Sequence, residues 1–93
     1  MDKKKLRYAI LKEIYNSNLK FTEHDLDVSE TEFDDCIRFL DREGYIGNVF
    51  YADNRPWIFE GAFLTEKGEN YLEENSAWKK TYNTLKELRD WIK

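Results

Sequence analysis

Three observations predict an α+β domain from this 93-residue chain. Apolar side chains recur at helical spacing over residues 2–16 and again over 29–44. Residues 45–64 are rich in aromatic and β-branched side chains and carry a turn sequence, Asp53-Asn54-Arg55-Pro56, at their middle, which is the pattern of a hairpin. Helical spacing then resumes toward the C-terminus. The content is 41% hydrophobic with fifteen aromatics, one proline and four glycines, which is a folded composition rather than a low-complexity one.

The first helix is expected from about Asp2 to Asn16, with Leu6, Ala9, Ile10 and Ile14 on one face and Tyr8, Leu11 and Tyr15 widening it. So wide an apolar face calls for burial on two sides. A short second helix is expected after the polar break at 16–20, with Thr22 as its cap and Asp25 three residues on. The third helix has the firmest punctuation. Ser29 and Glu32 form a capping box, Val28 and Phe33 a staple around it, and Gly44 stands where a left-handed cap ends the helix. Its inward stripe is Phe33, Cys36, Ile37 and Leu40. Two strands, about 45–52 and 57–65, make the hairpin, with Gly61 as an irregularity within it. Thr65 then caps a fourth helix in which Gly68 serves close packing. A fifth helix over 76–93 carries Trp78, Tyr82, Leu85, Leu88 and Ile92 on one side.

Three helices followed by a hairpin is the chain order of a winged helix, in which the third helix lies across the first two. The stretches "KLRYAILKEIY", "FDD", "REGYI", "LTEKGENYLEEN" and "RDWIK" resemble the YjcQ-like family of small bacterial and phage or prophage proteins. That resemblance implies a winged-helix-like fold and carries no established activity to particular positions. The expected organisation is one winged-helix domain over 1–93, with core, wing and following helix in 1–75 and the C-terminal helix in 76–93.

The net charge of −4 is unevenly spread. Residues 1–20 hold six basic against two acidic side chains, residues 21–75 four against fifteen, and residues 76–93 five against two. No apolar run is long enough to span a bilayer, and the basic start lacks the uninterrupted apolar segment and cleavage site of a secretory signal. A cytoplasmic protein is expected, and the single cysteine fits a reducing compartment.

Catalysis is not expected. The chain has one histidine, His24, and one cysteine, Cys36. Cys36 lies on the apolar stripe of its helix, where a thiol packs rather than attacks, and His24 reads as a solvated surface residue. The glycines assemble no phosphate loop, and no metal or cofactor is expected. Acids such as Asp25, Asp27, Asp34 and Asp35 read as solvated or dipole-favoured helix residues.

Two functional readings remain. In the first, the chain is a regulator of phage or prophage type that contacts DNA. Rotating away from Phe33, Ile37 and Leu40 turns Thr31, Asp34, Asp35, Arg38 and Arg42 outward. Thr31, Arg38 and Arg42 are then the groove contacts and Arg55 at the hairpin tip the wing contact, with Lys3, Lys4, Lys5 and Lys20 near phosphates. The plainer role for Arg38 and Arg42 is pairing with Asp34 and Asp35, and the acidic centre of the chain opposes DNA. In the second reading, an acidic interaction module keeps the fold, presents hairpin aromatics from among Phe50, Tyr51, Trp57 and Phe59, and takes a basic protein partner. A homodimer through the last helix is compatible with both. Neither membrane nor small-molecule substrate is expected.

Overall fold

The computed structural model describes residues 2–80, with the side chains of Lys79 and Lys80 excepted. In chain order it comprises α1 (Lys3–Tyr15), α2 (Glu30–Arg42), β1 (Ile46–Gly47), β2 (Phe50–Ala52), β3 (Arg55–Trp57), β4 (Phe63–Leu64), α3 (Glu66–Glu74) and a 3₁₀ helix (Ser76–Lys80). The α+β class is as expected. The fifth helix is met only at its start, as that 3₁₀ helix, and residues 81–93 lie outside the described part.

Asp2 starts α1 by accepting a hydrogen bond from the Lys4 amide at 2.7 Å. The helix is buried on more than one side, as its wide apolar face requires: Leu6, Tyr8, Ala9, Ile10, Leu11 and Ile14 are all in the core, and the helix packs against α2, α3 and β4. Tyr15 is the exception at 59% exposed, although its neighbour Ile14 in the same turn is buried. Ser17 closes α1 at φ 63°, with Ser17 and Asn18 amides donating to the Ile14 and Glu13 carbonyls. This pair of bonds is a Schellman cap built without glycine.

The expected short second helix is absent. Residues 23–27 form turns, and the three-helix core is therefore a two-helix core with a compact connection. Thr22 and Asp25 do meet, the Thr22 amide donating to the Asp25 carboxylate at 2.8 Å. The chain then turns left-handed at Asp27, φ 54°, and the Val28 amide returns to the Glu23 carbonyl. A single capped turn does not repay helix nucleation when the chain reverses so soon. Leu26, wholly buried, and Phe21, edge-on to Phe33 at 5.9 Å, anchor this connection instead.

Helix α2 begins and ends where the sequence predicts. The Ser29 hydroxyl oxygen accepts from the Glu32 amide at 3.1 Å, and it donates to the Glu32 carboxylate at 3.2 Å, so the box closes through the hydroxyl rather than through the Ser29 amide. At the far end Gly44 takes φ 78°, and the Tyr45 amide reaches the Leu40 carbonyl at 2.8 Å. Phe33, Cys36, Ile37 and Leu40 are all buried. Ile37 and Leu40, with no exposed surface, each contribute roughly 2 kcal/mol.

The hairpin is one antiparallel ribbon broken into two ladders. Strands β2 and β3 pair around the turn Asp53-Asn54, whose φ values of 54° and 61° are those of a two-residue hairpin loop. Strands β1 and β4 pair at the base. Between the ladders, residues 48–49 face the longer segment 58–62, and the mismatch is absorbed at Asn48, φ 60°, and Gly61, φ 99°. The Asn48 side chain donates to the Gly61 carbonyl at 3.1 Å across the break. At the base the Phe63 ring covers Gly47, occupying the space a side chain there would need.

Helix α3 is joined to the end of α2. Thr65 caps it, accepting from the Gly68 amide at 3.2 Å, and donates its hydroxyl to the Gly44 carbonyl at 2.5 Å. A Cβ on Gly68 would collide with the Tyr45 carbonyl oxygen, so glycine is required for the close approach.

Candidate nucleic-acid interface

Arg55 organises the centre of the molecule. It stands at the first position of β3, beside the hairpin turn, and its guanidinium reaches inward rather than toward solvent. It donates to Asp34 through two bonds of 2.7 and 3.0 Å and to Glu23 at 3.4 Å, and lies 3.5 Å from Glu30. Hydrogen bonding to Asp34 raises its pKa further above an already high value, so the group is cationic at any working pH. This corrects two expectations. Arg55 is not a free wing cation, and Asp34 does not face outward: it is 4% exposed, sealed under the hairpin by the guanidinium. Read along its own helix Asp34 turns outward, and only the distant arginine draws it inside.

Two further bonds tie the hairpin to α2. The Arg38 guanidinium donates to the Asn54 carbonyl at 2.7 Å, and the Tyr51 hydroxyl donates to Asp41 at 2.6 Å. Burial, then that bond and the charge of Asp41, push the Tyr51 pKa up to about 12. Tip and helix are thus fastened at both ends of the contact.

On the other side of α2, a groove of about 440 Å³ runs between α1 and α2. Thr31, Arg38 and Arg42 line it from α2, Lys3 and Arg7 from α1, and Leu6, Cys36 and Phe39 form its apolar part. Three of the four predicted contact residues therefore share one surface, and Arg55 does not. Four cations meet two carboxylates there, Glu32 and Asp35. Both arginines of α2 have exposed acidic neighbours: Arg38 pairs with Asp35 at 3.3 Å, as the plainer reading expected, and Arg42 pairs with Glu43 at 3.3 Å rather than with Asp34 or Asp35. Pairs so exposed contribute well under about 1 kcal/mol and exchange readily for another anion.

Arg7 and Phe39 were not singled out from the sequence. The Arg7 guanidinium lies 3.8 Å from the centre of the Phe39 ring and Arg42 5.6 Å from it. A signal for Arg7 existed: Lys3 and Arg7 repeat on α1 the one-turn spacing of Arg38 and Arg42 on α2. Of the other expected cations, Lys20 lies elsewhere, beside Phe59 and Glu60. Cys36 is buried, and burial pushes its thiol up to about 12 against the partial opposition of Arg7. His24 is exposed. Among the described residues, no group of three or more His, Cys, Asp or Glu side chains is placed to hold a metal ion, and no helix is long and apolar enough to cross a membrane.

A helix pair, a hairpin tied to it by Arg55, Arg38 and Tyr51, and a cation-rich groove between the two helices define a small α+β domain. The chain belongs to the family described as YjcQ protein, whose model matches residues 4–91. It is 57% identical over 94 residues to the uncharacterised protein YjcQ of Bacillus subtilis (strain 168), covering the full length of both. It is also similar to the solution NMR structure of the YjcQ protein from Bacillus subtilis, with a TM-score of 0.73 over 78% of this chain and 95% of that one.

Proposed function

We propose that this protein is a non-catalytic, winged-helix-like DNA-contacting regulator, with α2 as the helix presented to the duplex and the hairpin as the wing. One observation carries the reading: Lys3, Arg7, Arg38, Arg42 and Thr31 converge from two helices on one groove in a chain whose net charge is −4. Phosphate neutralisation supplies most of the affinity of such a module. The objection in the sequence is the acidic centre of the chain, and one of its carboxylates, Asp34, is buried and matched by Arg55 rather than turned toward a groove. The wing has no free arginine to offer, so contact rests on the groove cations and binding is weak and strongly salt-dependent. A buried Cys36 with a raised pKa supports a structural rather than a nucleophilic thiol.

Fluorescence anisotropy with a random 20-base-pair duplex tests this. The expected result is binding below about 50 mM salt, with a log–log slope of magnitude about 2 to 4, as two to four displaced counterions require. No binding at low salt would refute it.

A further inference from the structure

The hairpin carries a second surface that the groove does not explain. Phe50 and Trp57 are register partners and so lie on one side of the β2–β3 ribbon, while Tyr51 and the buried Pro56 occupy the other. Phe59 joins the first pair, 5.6 Å from Phe50 and stacked on Trp57 with planes 10° apart. Phe50 and Phe59 are still 53% and 51% exposed. A contiguous aromatic patch left in water is the usual mark of a contact surface.

Charge specifies what covers it. The Arg55 guanidinium lies 4.8 Å from the Trp57 ring centre, but three carboxylates, Glu23, Glu30 and Asp34, surround that one cation. The aromatic patch therefore abuts a centre with two negative charges in excess, and Glu30 is its exposed member. Glu60 follows Phe59 directly, with Lys20 as the one cation lining the small groove beside them. A nucleic acid would stack bases on the rings only by bringing phosphates against these acids. An arginine satisfies both halves of the surface, since its guanidinium stacks on aromatic faces and pairs with carboxylates through a two-pronged bond. The chain uses the same chemistry internally, with Arg7 over Phe39 at 3.8 Å.

We infer that the Phe50–Trp57–Phe59 side of the hairpin docks an arginine-bearing basic segment of a partner protein. The surface shares no residue with the α1–α2 groove, so the inference stands apart from the DNA reading. The test is an NMR titration of the isotope-labelled full chain with three nonapeptides that alternate glycine with arginine, lysine or glutamate. The arginine peptide moves the Trp57 indole signal and the amides of Phe50 and Phe59, and binds at least about threefold more tightly than the lysine peptide. Phe50→Ser with Phe59→Ser weakens it at least about tenfold, and Glu30→Gln with Glu60→Gln at least about threefold, as loss of stacking and of charge pairing require. Both pairs of positions are exposed enough to leave the fold intact, and Lys3→Ala with Arg42→Ala, in the α1–α2 groove, leaves peptide affinity unchanged. The inference is overturned if the arginine and lysine peptides bind equally and ignore the aromatic variant, or if the glutamate peptide binds as well. It is also overturned if the Trp57, Phe50 and Phe59 signals shift with protein concentration alone, which would assign the surface to a second copy.

Discussion

Asp34 and Arg55, 21 residues apart in sequence, meet through two hydrogen bonds of 2.7 and 3.0 Å and fasten the hairpin to α2. Glu23 and Glu30 surround the same guanidinium, so one side chain gathers the inter-helix connection, the start of α2 and the hairpin. Breaking this pair is predicted to loosen the hairpin before the helices. Asp34→Ala is expected to destabilise the protein, since it strips the guanidinium of its two shortest bonds, although two carboxylates remain on the arginine. Urea denaturation measures the cost, and hydrogen exchange is expected to show amides 50–57 losing protection first. Arg55→Lys lowers the midpoint too, because an ammonium cannot reproduce the two-pronged contact.

The end of α1 offers the opposite effect. Ser17 occupies the left-handed region at φ 63°, where a side chain is strained and glycine is not. Ser17→Gly is predicted to stabilise the protein by about 0.5 to 1 kcal/mol, the backbone relief outweighing the added freedom of the unfolded chain. A lower urea midpoint for this variant would contradict the cap assignment.

At the start of α3 the constraint is one of space. Gly68 lies against the Tyr45 carbonyl, and a methyl there collides with backbone rather than with a movable side chain. Gly68→Ala is predicted to cost about 2 to 3 kcal/mol by displacing α3 from the end of α2, in spite of the higher helix propensity of alanine. Thermal unfolding decides it, a raised Tm being the contrary outcome.

High pH is predicted to weaken the fold, chiefly through Cys36 and Tyr51 and to a smaller extent through Tyr8 and Tyr71, which burial also raises. Burial raises the Cys36 thiol from 9.0 to about 12, and burial together with the Asp41 bond raises Tyr51 from 10.0 to about 12. The folded state holds both protons more tightly than the unfolded chain does. Their contribution is therefore whole below pH 9 and is lost as pH rises toward 12. Urea midpoints are expected to fall over that window, and Tyr51→Phe to flatten the part above pH 10. At pH 8.5, iodoacetamide is expected to modify Cys36 at least about a hundredfold more slowly in the folded than in the denatured protein, in keeping with its suppressed thiolate.

Local signals in the sequence were reliable where they were complete in themselves. The Ser29 cap, the Gly44 and Thr65 caps and the hairpin reversal at Asp53-Asn54 all depend on residues within a few positions of one another, and each is where the sequence puts it, although the Ser29 box closes through the hydroxyl and Arg55 and Pro56 belong to the strand rather than the turn. The second helix failed because a cap signal at Thr22 says nothing about the reversal at Asp27, which Leu26 and the Glu23–Arg55 contact hold in place from elsewhere in the fold. Long-range charge pairing was likewise hidden. Asp34 and Arg55 each looked outward when read along its own element, and only their mutual approach turns both in. The groove was partly legible: the sequence reading named Thr31, Arg38 and Arg42 on α2 and Lys3 on α1, while the contact of Arg7 with Phe39 needed the packing of two helices.

The proposal that the α1–α2 groove carries DNA contact is tested most directly by Arg38→Ala with Arg42→Ala, compared with the parent chain across a salt titration against duplex DNA. Neither substitution touches the buried stripe of α2, and although Arg38→Ala removes the bond to the Asn54 carbonyl, the Arg55–Asp34 and Tyr51–Asp41 contacts still hold the hairpin, so circular dichroism is expected to report an unchanged fold. The account predicts that the salt slope shrinks by about 2, one for each phosphate contact removed, and that any preference for a particular sequence disappears. A variant that binds with the parent's affinity and the parent's slope would contradict it.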